Sequence, residues 1–151
     1  LQRLRRAGYE IGSGFIVGVP GQRPETLADD NLLARELHVD MCGAGPFIPQ
    51  ADTPLGNEPQ GSVELALRVM AVLRIALPWS NLPATTALAS LDPVSGQREG
   101  LLAGNVLMPG FTPAAHREDY CIYDNKHRVS MDEARQVIES AGRTHSLHRE
   151  G

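Results

Sequence analysis

The sequence predicts an α/β fold built from parallel strands and helices in alternation, and three observations predict it. The apolar run Phe15-Ile-Val-Gly-Val19 stops at Pro20-Gly21 and a helical pattern follows at once, which reads as a buried strand, a tight turn and a helix. The same unit returns three more times at a spacing of roughly 30 residues, the length of a strand–helix crossover. The runs at 15–19, 39–45 and 105–108 are closed by proline or glycine rather than merging into the helix behind them. Four such units fit either an open parallel sheet or half of a (βα)8 barrel, and in both folds ligands bind at the carboxyl ends of the strands. A whole barrel takes about 250 residues. This chain has 151.

Residues 1–8 carry Leu1 and Leu4 among Arg3, Arg5 and Arg6, with Gly8 as a C-terminal cap, so they read as the last turn of a helix. The absence of an initiator methionine there gives the expectation of a piece of a longer protein. Pro24 suits a first helical position, and Ala28, Leu32 or Leu33, and Leu37 recur at helical spacing to about His38. Residues 39–45 form the second expected strand. The following loop, 46–55, holds three prolines and cannot be helical. Ser62 caps a helix whose stripe is Ala66, Val69, Met70, Leu73 and Leu77, ended by Pro78. Residues 82–88 are the third strand, β-branched in the middle, with Pro83 near its start. A turn at 92–96 and a short helix to about Ala103 lead to the fourth strand, 105–108, stopped by Pro109-Gly110. Thr112-Pro113 opens a helix to about Tyr123. The last helix starts at the capping-box pattern Ser130-Met-Asp-Glu133 and ends at Gly142, with Ala134, Val137 and Ile138 on one edge. The domain reading is therefore a half barrel over 1–126, followed by a C-terminal helix and tail over 127–151.

Composition narrows the function. The net charge is −4 with both signs interspersed, so nucleic acid and membrane surfaces are not expected partners. No apolar run is long enough to span a bilayer, and two cysteines without metal spacing suit a reducing, cytoplasmic setting.

The expected strand ends gather Pro20-Gly21-Gln22, Ile48-Pro49-Gln50, Thr85-Thr86 and Met108-Pro109, a neutral set without paired carboxylates, a histidine cluster or a nucleophile elbow. Hydrolysis is poorly served by it. Thr85-Thr86 reads either as two strand residues facing opposite sides or as a hydroxyl pair that binds a carboxylate. Met41 and Met108 read either as gap-fillers of the core or as cavity walls. Tyr120 and Tyr123 share a helix face and either pack against the sheet or close a cavity mouth. Gly14-Phe-Ile-Val-Gly18 lacks the spacing of a dinucleotide fingerprint. The five histidines read as surface, and Cys42 as an inert core thiol.

The segments Gly14-Phe-Ile-Val-Gly-Val-Pro-Gly-Gln22, Val39-Asp-Met-Cys-Gly-Ala-Gly-Pro-Phe-Ile-Pro-Gln-Ala-Asp-Thr-Pro-Leu55, Leu82-Pro-Ala-Thr-Thr-Ala-Leu88, Asn105-Val-Leu-Met-Pro109 and Tyr120-x-x-Tyr123 together resemble the second half of radical-SAM (S-adenosylmethionine) enzymes of the biotin-synthase-like branch, and within it the maturases of FeFe hydrogenase. The resemblance covers residues 1 to about 126. It implies strands five to eight of a TIM-type (βα)8 barrel, S-adenosylmethionine and a four-iron four-sulfur cluster as cofactors of the full-length family, and a small-molecule substrate. It also implies that Gly14, Ile16, Gly18, Ile48 and Pro49 border the adenine, by apolar and backbone contact. Met41, Thr85, Thr86, Met108, Tyr120 and Tyr123 correspond to positions lining the substrate cavity.

The sequence departs from that pattern. The C-x-x-x-C-x-x-C cluster motif is missing, so the chain offers no cluster ligands and is expected to be inactive alone. Gln50 and Ala51 stand where the loop motif would have histidine and proline. The function expected is part of a maturase that cleaves S-adenosylmethionine reductively during H-cluster assembly. Other hydrogenase-maturation proteins are expected partners, and exposed strand edges allow self-association. Two alternatives stay open. One is a neighbouring activity, such as methylornithine synthesis or sulfur insertion. The other is a non-catalytic half-barrel module for binding or assembly.

Overall fold

The computed structural model describes residues 1–113, 127 and 129–146. In chain order the elements are α1 (Gln2–Arg6), β1 (Gly12–Val17), α2 (Pro24–Glu36), β2 (Met41–Pro46), α3 (Val63–Ala76), α4 (Thr86–Leu91), α5 (Gly96–Ala103) and α6 (Met131–Ser140). β1 and β2 are parallel neighbours, with Gly12 opposite Met41, Gly14 opposite Gly43 and Ile16 opposite Gly45. Parallel neighbours require a crossover, and α2 supplies it. Two single parallel bridges extend the series, Met41 with Asn81 and Pro83 with Val106. They are supported by hydrogen bonds from Cys42 N–H to the Asn81 carbonyl and from Ala84 N–H to the Val106 carbonyl, both 2.9 Å.

The α/β class with parallel strands is thus observed. Four full strands are not: among the described residues the third and fourth are reduced to one bridge each. The expected third strand, 82–88, breaks because Pro83 has no N–H to give a ladder. Beyond Ala84 the chain turns into α4, with Thr85 as its N-cap. Its hydroxyl makes no capping bond there, and Ala87-Leu88-Ala89 favours the helix behind it. The first strand begins and ends earlier than its apolar run, because Gly18 adopts φ +82° and leaves the extended region.

Helix limits follow their caps. Ser62 Oγ accepts from Leu65 N–H at 3.2 Å at the start of α3. Ser130 and Glu133 form the reciprocal capping box of α6, at 3.2 and 2.7 Å. Gly8 and Gly142 take positive φ after α1 and α6. The stripe expected on α3 is buried throughout: Ala66, Val69, Met70, Leu73 and Leu77 join Val17, Cys42, Ala44, Leu82 and Leu88 in one core. Each large side chain buried there contributes roughly 1.5–3 kcal/mol before conformational entropy is charged. On α2 the expected face is wrong. Leu27, Asn31 and Ala34 face inward, and Leu32 and Leu33 are exposed. Asn31 is tolerated inside because its Nδ2 donates to the Leu27 carbonyl at 2.7 Å. Of the helix expected from Thr112-Pro113 to Tyr123, everything after Pro113 lies outside the described residues. Among those described, no helix is long and apolar enough to cross a membrane.

Candidate functional site

Alternation along the strands divides the sheet into two unlike faces. Val17 on β1, with Cys42 and Ala44 on β2, points into the helical core. Gly12, Gly14 and Ile16 lie on the opposite face of β1 and are exposed, Ile16 by 54%. Their register partners Met41, Gly43 and Gly45 are half-buried. Four glycines side by side leave this face with almost no side-chain relief. At two of them the backbone has no space for anything larger. A Cβ on Gly14 would clash with the Gly43 carbonyl oxygen, and one on Gly45 would lie 2.6 Å from Thr85 Oγ1.

That second contact places Thr85 on the same face. Its hydroxyl does not cap α4, and Oγ1 is a buried oxygen without a hydrogen-bond partner. Thr86 is the first residue of α4 and its carbonyl accepts from Ser90 Oγ at 3.0 Å. The strand reading of the pair, one residue to each side, is therefore corrected: Thr85 faces Gly45, and Thr86 belongs to a helix. The structure brings Gly14, Ile16, Met41 and Thr85 onto one surface. Met108 lies beyond the Val106 bridge, 44% exposed. Tyr120 and Tyr123 lie outside the described residues.

Beyond β2 the chain stays tied to β1. Phe47 N–H donates to the Val17 carbonyl, and Gly61 N–H to the Phe47 carbonyl, both at 2.8 Å. Ile48 and Pro49 follow, half-buried, with Gln50 Oε1 buried and unbonded. The Gln50 carbonyl accepts from Thr53 N–H at 3.0 Å and from Thr53 Oγ1 at 2.8 Å, so the loop is a run of tight turns even with Gln50 and Ala51 in place. Gly18 lies against Gly61, and a Cβ on Gly18 would come within 3.0 Å of the Gly61 Cα.

Sequence reasoning missed Gly43, Gly45 and Gly61, and placed Gln22 at a strand end without a role. The glycines were visible as residues, but their strand partners were not. The reading of the histidines as surface holds for His38 and His145 and fails for His127. That residue is half-buried, 3.9 Å from Glu133, and its backbone N–H donates to Ser90 Oγ at 2.8 Å. Cys42 is buried as expected, and burial, with the Asp30 charge adding to it, pushes its thiol above the usual range. Among the described residues no group of three or more potential ligands is placed to hold a metal ion.

No protein-family model matches the chain. It is 48% identical over 128 residues to the FeFe hydrogenase maturase subunit HydE of Thermotoga maritima, a match that covers 83% of this chain and 36% of that protein. It is 32% identical over 123 residues to the biotin synthase of Acidothermus cellulolyticus, covering 76% of this chain and 36% of the enzyme. The biotin synthase of Crocosphaera subtropica is 35% identical over 78 residues, or 52% of this chain and 20% of that one. The chain therefore spans little more than a third of the first two relatives and a fifth of the third.

Proposed function

We propose, from the premise that this chain belongs with HydE and the biotin synthases in the biotin-synthase-like branch of radical-SAM proteins, that it supplies one wall of the reaction chamber of an FeFe-hydrogenase maturase. The observation that carries the proposal is the glycine-lined face of the sheet, exposed at Gly12 and Gly14 and bordered by Ile16. A flat heteroaromatic ring needs such a surface. It can lie on exposed backbone where no Cβ stands off, and Ile16 offers its edge an apolar contact. Gly14, Ile16, Gly18, Ile48 and Pro49 would hold the adenosyl end of S-adenosylmethionine, and Met41, Thr85, Thr86, Met108, Tyr120 and Tyr123 the substrate side.

When bound, S-adenosylmethionine supplies a 5′-deoxyadenosyl radical on reductive cleavage. What this chain contributes is shape and dryness: a wall of backbone, methionine and isoleucine holds few competing donors near a reactive group. Thr85 Oγ1 is the polar exception, and a substrate carboxylate would give it the partner it lacks. The residues do not fit an iron–sulfur cluster. The chain has two cysteines, and Cys42 is buried on the helical side of the sheet.

The HydE match is both longer and closer than the biotin synthase matches, which favours maturation over sulfur insertion. The test is calorimetric titration of the full-length, cluster-reconstituted protein with S-adenosylmethionine, beside the Ile16→Trp variant, which fills the face at its exposed carboxyl end. Binding by the parent and its loss on filling the open face are expected. Equal affinity in the two proteins would remove this face from the cofactor site.

A further inference from the structure

Gln22 folds back onto the end of β1 and occupies backbone groups there. Its Oε1 accepts from Gly18 N–H at 2.6 Å and its Nε2 donates to the Ile16 carbonyl at 2.9 Å. Between those residues the Val17 carbonyl points the other way, to Phe47 N–H at 2.8 Å on the β2 side. The Ile16 carbonyl and Gly18 amide therefore lie on the side of β1 away from β2. A residue on a neighbouring parallel strand would bond the same two groups, one N–H and one C=O flanking a single position. A primary carboxamide presents a donor and an acceptor side by side and can replace that residue.

We propose that Gln22 is a positioning residue for the wall formed by residues 16–18. It stands in for the last residue of a neighbouring strand, fixes the Ile16 peptide, and holds Gly18 at φ +82°. The fold makes this economical. Val19 and Gln22 close a turn through Gln22 N–H to the Val19 carbonyl at 2.9 Å, with Gly21 at φ +78°, so the side chain starts beside the strand it grips. Two consequences follow. The wall is preset before a ligand arrives, so binding is spared the cost of ordering it. A strand pairing with the free edge of β1 must also stop short of Val17, which leaves a crevice at the carboxyl end of the edge. The identity of the ligand rests on the S-adenosylmethionine reading above; the clamp itself does not.

The experiment uses the full-length, cluster-reconstituted protein with Gln22→Met, which keeps length and removes both bonds, and Gln22→Glu, which keeps an acceptor for Gly18 but sets an oxygen against the Ile16 carbonyl. Amide exchange at Gly18 is read without ligand, and faster exchange is expected in Gln22→Met, with a smaller change in Gln22→Glu, which keeps the acceptor. With S-adenosylmethionine, KM should rise roughly tenfold in Gln22→Met, the effect of losing a preset pair of hydrogen bonds, while kcat stays within about twofold. Unchanged exchange at Gly18 in Gln22→Met overturns the clamp. Faster exchange with unchanged KM overturns the positioning role and leaves Gln22 as edge protection alone. A parent protein that binds no S-adenosylmethionine overturns the ligand assignment, while exchange still decides the clamp.

Discussion

Gly12 and Gly14 lie two residues apart on the same face of β1, and alanine at each separates backbone crowding from side-chain freedom. At Gly12 a new Cβ meets nothing within 4 Å. At Gly14 it runs into the Gly43 carbonyl oxygen and lies 3.2 Å from both the carbonyl carbon and the nitrogen of Gly43. All three are backbone atoms of β2, so no side chain can swing aside. β2 is held from its other side as well, by Cys42 N–H bonded to the Asn81 carbonyl at 2.9 Å. Relief must come from separating the strands at their only glycine–glycine pair.

Overpacking of this kind costs about 1–3 kcal/mol, and a contact between two backbones belongs at the upper end. Alanine also lowers the entropy of the unfolded chain, worth about 0.4–1 kcal/mol in favour of either variant. Gly14→Ala should therefore destabilise by about 2 kcal/mol, while Gly12→Ala should be neutral or stabilising by up to about 1 kcal/mol. At about 2–4 °C per kcal/mol for a chain of this size, the two thermal midpoints should differ by roughly 4–12 °C. Circular dichroism melts, with urea curves to check that m is unchanged, measure this directly. Midpoints within about 2 °C of each other would refute the register on which the site is built.

Arg74 donates from Nε to the Ala103 carbonyl, from Nη1 to the carbonyls of Leu77, Pro78 and Ser80, and from Nη2 to Asn105 Oδ1, at 2.8–3.2 Å. Arg74→Met should cost about 2–4 kcal/mol by urea denaturation, since it strips one cation from the turn after α3 and the end of α5 together, and Arg74→Lys should recover only part of it. Thr85→Val removes a buried hydroxyl that has no partner, so the ligand-free protein should lose no stability, within about 0.5 kcal/mol. In the full-length enzyme the same change should weaken substrate binding far more than cleavage of S-adenosylmethionine, and equal loss of both would sink the cavity assignment. Glu133 is held below the usual carboxylate range by the Ser130 N–H, then by the Ser130 hydroxyl and nearby His127. Its depressed folded-state pKa means a contribution present above the ordinary value of 4.5 and lost as pH falls through the lower folded value. Glu133→Gln should flatten that acid limb in melts taken from pH 6 to 3, and an unchanged limb would discount the capping box as its source.

The helices were legible because their signals are local. Ser62, the Ser130–Glu133 box, Pro24, Gly8 and Gly142 each act within a turn of where they stand, and the 3.6 period of α3 survives intact from Ala66 to Leu77. α2 was misread because it offers leucine on two sides, and only the packing of α3 and β1 against it selects Leu27 over Leu32 and Leu33. The third strand was misread for a related reason. β-branched Thr85-Thr86 suggests a strand in isolation, but Pro83 limits the ladder, and a threonine before Ala-Leu-Ala serves a helix start as well.

Most of the candidate site escaped sequence reasoning because its chemistry is pairwise across strands. Gly14 and Ile16 could be picked out by the resemblance of their strand to a family, yet what makes that face flat is Gly43 and Gly45 opposite them. Thr85 was named for its hydroxyl, and the structure gives that hydroxyl a neighbour, Gly45, without a bond. Gln22 was placed at a strand end, but no sequence signal assigned its side chain a role. It is a polar residue after a Pro-Gly turn, and only the opposed directions of the Val17, Ile16 and Gly18 peptides reveal two backbone groups for it to hold. A flat backbone surface has no side chains of its own to keep it in shape. Its shape must come from the residues behind and beside it, so substitutions at Gln22 and Gly43, which need not touch a ligand, should alter binding as strongly as those at Ile16, which would.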